Sequence, residues 1–294
     1  MQESEKATQL ILVLGMHRSG TSALTRGLKV INVSLSDSLI GPLPANNPKG
    51  FFEDTRINQI NDSLLAELGL QWCSQGELKS LDIRVMDLSH LRDRAYTYLS
   101  DLLKDKGDFF ALKDPRFSIL LPFWQPIFEE LNVKVNYIIA SRHPMSVAHS
   151  LQKRDDLAIQ RGLLLWYRHM LAALNYTQGQ KRLVVNYDIL MDNTDKELER
   201  VALFLKVDTN IDPEKLNEYK DVFLEKELRH NYYEGGLSET LPELAPSIHD
   251  LHNMIEGMSK ENIAGKNSFG LISSLFTKKK VVTNLFCKKK VSLG

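Results

Sequence analysis

Phosphate-binding chemistry is first indicated by residues 15 to 22, which read Gly-Met-His-Arg-Ser-Gly-Thr-Ser. This stretch has the glycine spacing of the nucleotide P-loop, G-x-x-x-x-G-K-[ST], but Thr21 stands where that motif has its lysine. Arg18 supplies a cation inside the loop instead. An ATPase built on this loop lacks the lysine that reaches the terminal phosphates. We therefore expect the loop to bind phosphate groups arranged differently from those of a nucleoside triphosphate.

A second set of phosphate-binding candidates lies between Arg142 and Ser150. Arg142 follows a strand predicted over 133–141, and Pro144 opens a predicted helix because proline is favoured at the first helical position. A guanidinium group can grip phosphate with two hydrogen bonds, and a hydroxyl adds a neutral donor. Arg154, one turn beyond Ser150, can join the same helix face. The alternative that stays open is a surface arginine beside a serine that packs the helix.

Candidates for proton transfer are carboxylates close to a lysine or to aromatic rings. Glu53 follows Phe51 and Phe52, which can desolvate the carboxyl group and raise its pKa. Asp114, in the turn Lys-Asp-Pro-Arg that begins at Lys113, is the runner-up. A helix-capping role for Glu53 remains open at this point.

The loop resembles the first motif of the sulfotransferases that use 3′-phosphoadenosine-5′-phosphosulfate (PAPS). The run from Arg18 through Ser19, Gly20 and Thr21 to Ser22 is similar to the Arg-Ser-Gly-Thr form found in the carbohydrate and protein-tyrosine branches of that family. The resemblance implies that this loop wraps the 5′-phosphosulfate. Arg18 would contact its bridging region, and Gly20 to Ser22 would supply backbone and hydroxyl donors.

The resemblance extends to residue 190. The eight-residue spacing from Arg142 to Ser150 is similar to the family's 3′-phosphate motif, and Tyr187 stands in a segment similar to Tyr-Glu-Asp-Leu, whose tyrosine lies near the adenine. Lys113 corresponds to the lysine of a Lys-Thr-His or Lys-Thr-Pro turn. The carboxy-terminal Arg-Lys-Gly segment of the cytosolic small-molecule branch is missing, with Arg229 as a weak substitute. This departure favours the carbohydrate-type or bacterial branch.

The resemblance implies in-line transfer of a sulfuryl group from PAPS to a hydroxyl, with a carbohydrate or glycoconjugate as the expected acceptor and 3′-phosphoadenosine-5′-phosphate (PAP) as product. Arg18 and Lys113 would face the charge on the departing phosphate, Glu53 or Asp114 would be the base, and no metal is required. Two alternatives remain: a nucleotide-dependent phosphotransferase with a degenerate P-loop, and a non-catalytic nucleotide-binding relative.

The elements that must position these residues alternate between strand and helix, which predicts a three-layer α/β fold of the P-loop type with a central, mainly parallel sheet flanked by helices. The predicted strands are 10–14, 109–113, 133–141 and 182–186. The predicted helices are 21–30, 55–68, 91–104, 157–176 and 194–205. We expect an irregular loop over 32–50 and short helices and loops over 208–262.

The composition of the chain bears on its partners and on its cellular location. Lysine plus arginine and aspartate plus glutamate number 37 each, so the net charge of zero does not argue for nucleic acid as a partner. Two cysteines and no run of 18 apolar residues predict a cytoplasmic protein. The sequence divides into a sulfotransferase-like domain over 1–264 and a basic, partly apolar tail over 265–294.

The tail contains seven lysines and no acidic residue. Short apolar clusters before its lysine triplets predict peripheral contact with an anionic membrane surface, on the inner face of the membrane, while a disordered solubilising tail is the alternative. Liposome sedimentation with and without residues 266–294 tests this, and equal pelleting would remove the idea.

Overall fold

A computed structural model describes residues 8–43, 49–74, 83, 86–104, 106–224 and 245–260. Its centre is a parallel sheet in the order β2-β3-β1-β4-β5. The strands are β1 Gln9–Leu14, β2 Ser34–Leu35, β3 Phe109–Lys113, β4 Val135–Ser141 and β5 Arg182–Asn186. The predicted α/β class with a central parallel sheet is confirmed.

Helices connect the strands and cover the sheet. They are α1 Thr21–Val30, α2 Thr55–Glu67, α3 Ser89–Leu102, α4 Phe117–Glu130, α5 Pro144–Asp155, α6 Ile159–Tyr176, α7 Tyr187–Asp192, α8 Thr194–Leu205, α9 Pro213–Glu218 and α10 Ala245–Lys260, with a π-helix at Tyr219–Phe223. No helix within the described ranges is both long and apolar enough to span a bilayer.

Apolar side chains of β1 point alternately to the two faces of the sheet, as the period of a strand requires. Leu10, Leu12 and Leu14 pack in a core with α2 to α6 and α10, whereas Ile11 and Val13 pack in a second core with α1 and α8. All five side chains are fully buried. Two apolar cores on opposite faces of one sheet give the three layers that the sequence predicts.

The site is positioned by the place where the chain changes sheet face. The helix after β1 joins one core and the helix after β3 joins the other, although β1 and β3 are neighbours in the sheet. In open parallel sheets, ligands bind at such a crevice beyond the carboxyl ends of the strands. The loop at 15–20, Arg142 and Tyr187 follow strands at this edge, and Lys113 is the last residue of β3.

Two parts of the chain differ from the sequence prediction. The prediction of an irregular loop over 32–50 was wrong at Ser34–Leu35, which form β2 and pair with β3. Helix α4 has no sequence prediction because Pro122 and Pro126 lie inside it and proline normally ends a helix. The predicted tail over 265–294 and Arg229 lie outside the described residues.

Candidate active site

The loop between β1 and α1 has a backbone that suits glycine at both ends. Gly15 has a φ of 139°, and a Cβ there would lie 2.5 Å from the carbonyl oxygen of Ala140. Gly20 has a φ of 84°, and a Cβ there would lie 2.3 Å from Cδ2 of Tyr187. The Oγ of Ser118, at the start of α4, accepts from the Gly15 N–H at 2.9 Å and donates to the Gly15 carbonyl at 3.2 Å. The loop is therefore fixed against β4 and α4.

The amino terminus of α1 offers unpaired donors. Gly20 is its N-cap residue and provides no side-chain cap. The Oγ of Ser19 is buried and has no hydrogen-bond partner within the described residues. The first N–H groups of a helix and the positive end of its dipole attract anions. The loop therefore has the donor set that a phosphate group requires.

Arg18 joins the first predicted motif to the second. It has a φ of 68°, and its Nε donates to Oγ of Ser150 at 2.8 Å. The Nη1 of Arg142 donates to the carbonyl of Arg18 at 3.5 Å, and the Arg142 guanidinium lies 4.7 Å from the centre of the Tyr187 ring. The structure thus brings together Arg18, Ser150, Arg142 and Tyr187, as the motifs predict.

Two further guanidinium groups lie near Arg18, although one of them, that of Arg154, is paired with Asp155. Burial, and then the nearby guanidinium groups of Arg154 and Arg142, lower the pKa of Arg18 to about 10. The group still carries its charge at neutral pH. No carboxylate lies within ion-pair distance of Arg18 in the part of the chain that the structure describes. An anionic ligand would relieve the repulsion among these cations.

Glu53 and Lys113 form a buried ion pair beside the loop. The Nζ of Lys113 lies 2.6 Å from Oε1 of Glu53 and 3.3 Å from Oγ of Ser22. The other oxygen of Glu53, Oε2, is buried without a hydrogen-bond partner among the described residues. Burial raises the pKa of Glu53 above its ordinary value, and the charge of Lys113 opposes this. One carboxylate oxygen is held and the other is available for a proton.

Asp114, the second candidate base, is placed differently. Its Oδ1 accepts from the backbone N–H and the Nε of Arg116, at 2.9 and 2.8 Å, and its Oδ2 accepts from Asn61 at 3.0 Å. The residue is fully buried. Both oxygens therefore hold the turn after β3, so Asp114 lacks the available oxygen that Glu53 has.

The cap of α2 separates the roles of two adjacent acids. The carboxylate of Asp54 accepts from the N–H groups of Arg56 and Ile57, each at 2.9 Å. The capping role considered for Glu53 is therefore filled by Asp54, the residue after it. This leaves the side chain of Glu53 directed at Lys113.

The sequence offered no reason to connect His17 with Trp72. Their ring centres lie 4.7 Å apart, and the guanidinium of Arg154 lies 5.3 Å from the Trp72 ring centre. Because 55 positions separate His17 from Trp72, no local pattern could show the contact. The described residues contain no group of three or more histidine, cysteine, aspartate or glutamate side chains that could hold a metal ion.

Three solved structures are similar to this chain over most of its length. The sulfotransferase domain of the Synechococcus PCC 7002 olefin synthase is 16% identical, with a TM-score of 0.44, and the match covers 94% of this chain and 98% of that one. The sulfotransferase domain from the curacin biosynthetic pathway is 19% identical, with a TM-score of 0.42 and coverage of 93% and 98%. A sulfotransferase from Alicyclobacillus acidocaldarius is 14% identical, with a TM-score of 0.40 and coverage of 77% and 98%. No family model and no curated protein matches the sequence.

Proposed function

We propose that this chain is a sulfotransferase that moves a sulfuryl group from PAPS to a hydroxyl of a carbohydrate or glycoconjugate. The observation that carries the proposal is the 2.8 Å hydrogen bond from Arg18 to Ser150, two residues 132 positions apart. It joins the phosphate loop to the helix that follows Arg142. The result is one cationic site whose donors can bind two phosphate groups that are apart from each other. PAPS has such groups on its 5′ and 3′ positions, whereas the phosphates of a nucleoside triphosphate form a single chain on the 5′ position.

The donor set fits the two ends of PAPS. The loop from Ser19 to Ser22, with its uncapped helix and buried Ser19 hydroxyl, would hold the 5′-phosphosulfate. Arg142 and Ser150 would hold the 3′-phosphate, and Tyr187, beneath Arg142, would lie toward the adenine. When bound, PAPS supplies the sulfuryl group and leaves as PAP.

Glu53 would take the proton of the acceptor hydroxyl through Oε2. A general base must be deprotonated to act, and Lys113 favours the charged form while burial disfavours it. The raised pKa makes this carboxylate a stronger base than an exposed glutamate. Lys113 also fixes Oε1, so that only the second oxygen is presented.

Arg18 and Lys113 would stabilise the negative charge that grows on the departing phosphate. Both cations are held in place before any ligand binds, Arg18 by Ser150 and Lys113 by Glu53 and Ser22. Preorganised charges in a water-poor site act without reorganisation during the reaction. Catalysis here is a matter of position and electrostatics, with no covalent intermediate on the protein.

The two alternatives make different use of the same loop. A phosphotransferase that depends on nucleoside triphosphate would need a cation at position 21, where this chain has threonine. A non-catalytic nucleotide-binding relative would have no need of a buried carboxylate with an available oxygen, which Glu53 has. The sulfotransferase proposal accounts for both features.

The direct test is transfer of labelled sulfate from PAPS to a panel of glycans and glycoconjugates. We expect label on a hydroxyl-bearing acceptor with the wild-type protein and none with Arg18→Ala. Binding of PAP without transfer to any acceptor would favour the non-catalytic reading. Preference for ATP or GTP with Mg²⁺ over PAP would favour the phosphotransferase.

A further inference from the structure

The imidazole of His17, in the middle of the phosphate loop, has a nitrogen that lacks a hydrogen-bond partner among the described residues. Its Nε2 is buried and has no hydrogen-bond partner among the described residues, while the next residue along the chain is Arg18. Buried polar side-chain atoms in folded proteins nearly always have a partner. Because this atom lies in the phosphate loop beside Arg18, a bound ligand can supply its partner.

Burial and the surrounding groups keep His17 neutral. Burial lowers its pKa well below the ordinary value, and Arg154, His169, Arg116 and Lys113 lower it further. A neutral imidazole carries a single N–H and is a weak base when its pKa is low. His17 is therefore suited to donate a hydrogen bond and poorly suited to take a proton.

The His17 ring is held by Trp72, which in turn lies in a fixed segment. The ring centres of His17 and Trp72 are 4.7 Å apart. Two arginines of α6 donate to the backbone of this segment, Arg161 to the carbonyl of Cys73 at 3.0 Å and Arg168 to that of Ser74 at 2.5 Å. These contacts fix the orientation of the imidazole before a ligand binds.

We propose that His17 donates a hydrogen bond through Nε2 to an oxygen of the sulfuryl group being transferred, and that Trp72 holds its ring in position. This inference rests on the proposed function, because the group it contacts is the one that distinguishes PAPS from PAP. The sulfuryl oxygens carry negative charge, and a neutral donor can stabilise them without adding to the repulsion between Arg18 and Arg154.

The test compares the affinity for PAPS with that for PAP, measured by calorimetry without acceptor. In His17→Leu we expect affinity for PAPS to fall about tenfold while affinity for PAP changes less than about twofold, because PAP lacks the sulfuryl group. His17→Gln places an amide N–H near the position of Nε2 and should restore most of the PAPS affinity. His17→Asn has a shorter side chain and should not.

Turnover gives a second readout. We expect kcat of His17→Leu to fall about 100-fold, with the KM for the acceptor unchanged. Trp72→Phe keeps an aromatic ring against His17 and should retain most of the activity, whereas Trp72→Ala should lose PAPS affinity as His17→Leu does.

The outcomes separate this inference from the proposed function. Equal losses of PAPS and PAP affinity in His17→Leu would give His17 a purely structural role and overturn the inference. So would unchanged PAPS affinity in a variant whose wild-type parent binds PAP and transfers sulfate. If the wild-type protein binds neither PAPS nor PAP, the proposed function itself fails. Should the leucine variant not fold, equal PAPS affinity in the glutamine and asparagine variants would overturn the inference.

Discussion

The two sides of the phosphate loop hold their cations in opposite ways. On one side, Arg18 is held by a neutral group, the hydroxyl of Ser150. On the other side, Lys113 and Arg116 are paired with buried carboxylates, those of Glu53 and Asp114. Arg18 follows β1 and Lys113 ends β3, so both sides lie at the same edge of the sheet.

This difference divides the chemistry. A cation held by a neutral partner keeps its full charge for an incoming anion, whereas a cation paired with a carboxylate is already neutralised and controls the protonation of its partner. The Arg18 side is therefore assigned to binding the two phosphates of the donor. The Lys113 side is assigned to proton transfer, and Lys113 can act on the departing phosphate once Glu53 has taken up a proton and no longer neutralises it. Four substitutions and one pH profile test this division, beginning with the largest expected effect.

Replacing Glu53 by glutamine should abolish proton transfer without weakening the donor site. We expect kcat to fall about 1,000-fold, since general-base catalysis contributes at this level, while PAP affinity stays within about twofold. Steady-state transfer assays measure kcat, and calorimetry measures the affinity for PAP. Full activity in Glu53→Gln would move the base to Asp114.

Replacing Asp114 by asparagine should act on stability. Asp114 is fully buried and pairs with Arg116, and breaking a buried pair leaves an uncompensated charge. Because Arg116 also contacts Asp62, we expect a loss of about 3 kcal/mol in the free energy of unfolding, at the low end for such pairs. Urea unfolding measures it. Asp101→Asn, on an exposed pair with Lys104, is the control and should change little. A stable Asp114→Asn protein without activity would contradict the division.

Replacing Arg142 by alanine should weaken PAP binding about 30-fold, as expected for a charge-assisted phosphate contact. The affinity for AMP, which lacks the 3′-phosphate, should hardly change. Calorimetry with both ligands isolates the 3′-phosphate contribution. Arg92→Ala, which removes an exposed arginine paired with Glu130, is the matched control. Equal weakening of PAP and AMP would place Arg142 at a different part of the ligand.

The rate should depend on pH through Glu53. Its pKa is raised above 4.5, and only the deprotonated form can act as base. As pH falls below this raised pKa, kcat/KM should therefore decrease about tenfold per pH unit, and it should level off above it. In Glu53→Gln the remaining activity should lack this acid limb. If kcat/KM of the variant still decreases at the same pH as in the wild-type protein, a group other than Glu53 is being titrated.

Replacing Gly20 by alanine tests the contact between the loop and Tyr187. Both Gly20 and Gly69 have positive φ, but a Cβ at Gly20 would overlap the Tyr187 ring and a Cβ at Gly69 would meet nothing within 4 Å. Gly69→Ala should cost about 1 kcal/mol from backbone strain alone. Gly20→Ala should cost about 1–3 kcal/mol more from overpacking and should also weaken PAP binding. Thermal unfolding of both variants measures the difference, and equal losses would remove the Tyr187 contact from the account.

Much of the fold could be predicted from the sequence, and so could the placement of the four candidates that lie at the end of a predicted strand or just after it. Carboxyl ends of parallel strands meet at one edge, so Arg18, Lys113, Arg142 and Tyr187 had to lie along the same edge of the sheet. The hydrogen-bond partner of each candidate could not be predicted. Nothing in the spacing shows that Arg18 reaches Ser150, since that contact depends on how α5 lies beside the loop.

The rest depends on tertiary packing. Helix α4 contains two prolines and is buried along most of its length, so its stability comes from the core and not from local propensity. Strand β2 has two residues and pairs only at the edge of the sheet, which is too short for a periodic pattern. The division of roles between Glu53 and Asp54 could not be assigned because both are acids at the start of one helix.

The two-phosphate site is the central claim, and calorimetry of the wild-type protein with PAP, AMP, and ATP with Mg²⁺ tests it most directly. We predict that PAP binds at least about tenfold more tightly than AMP, because in the proposed site Arg142 and Ser150 would contact the 3′-phosphate. PAP should also bind more tightly than ATP, because Thr21 stands in place of the P-loop lysine. Tighter binding of ATP with Mg²⁺ than of PAP would contradict the account.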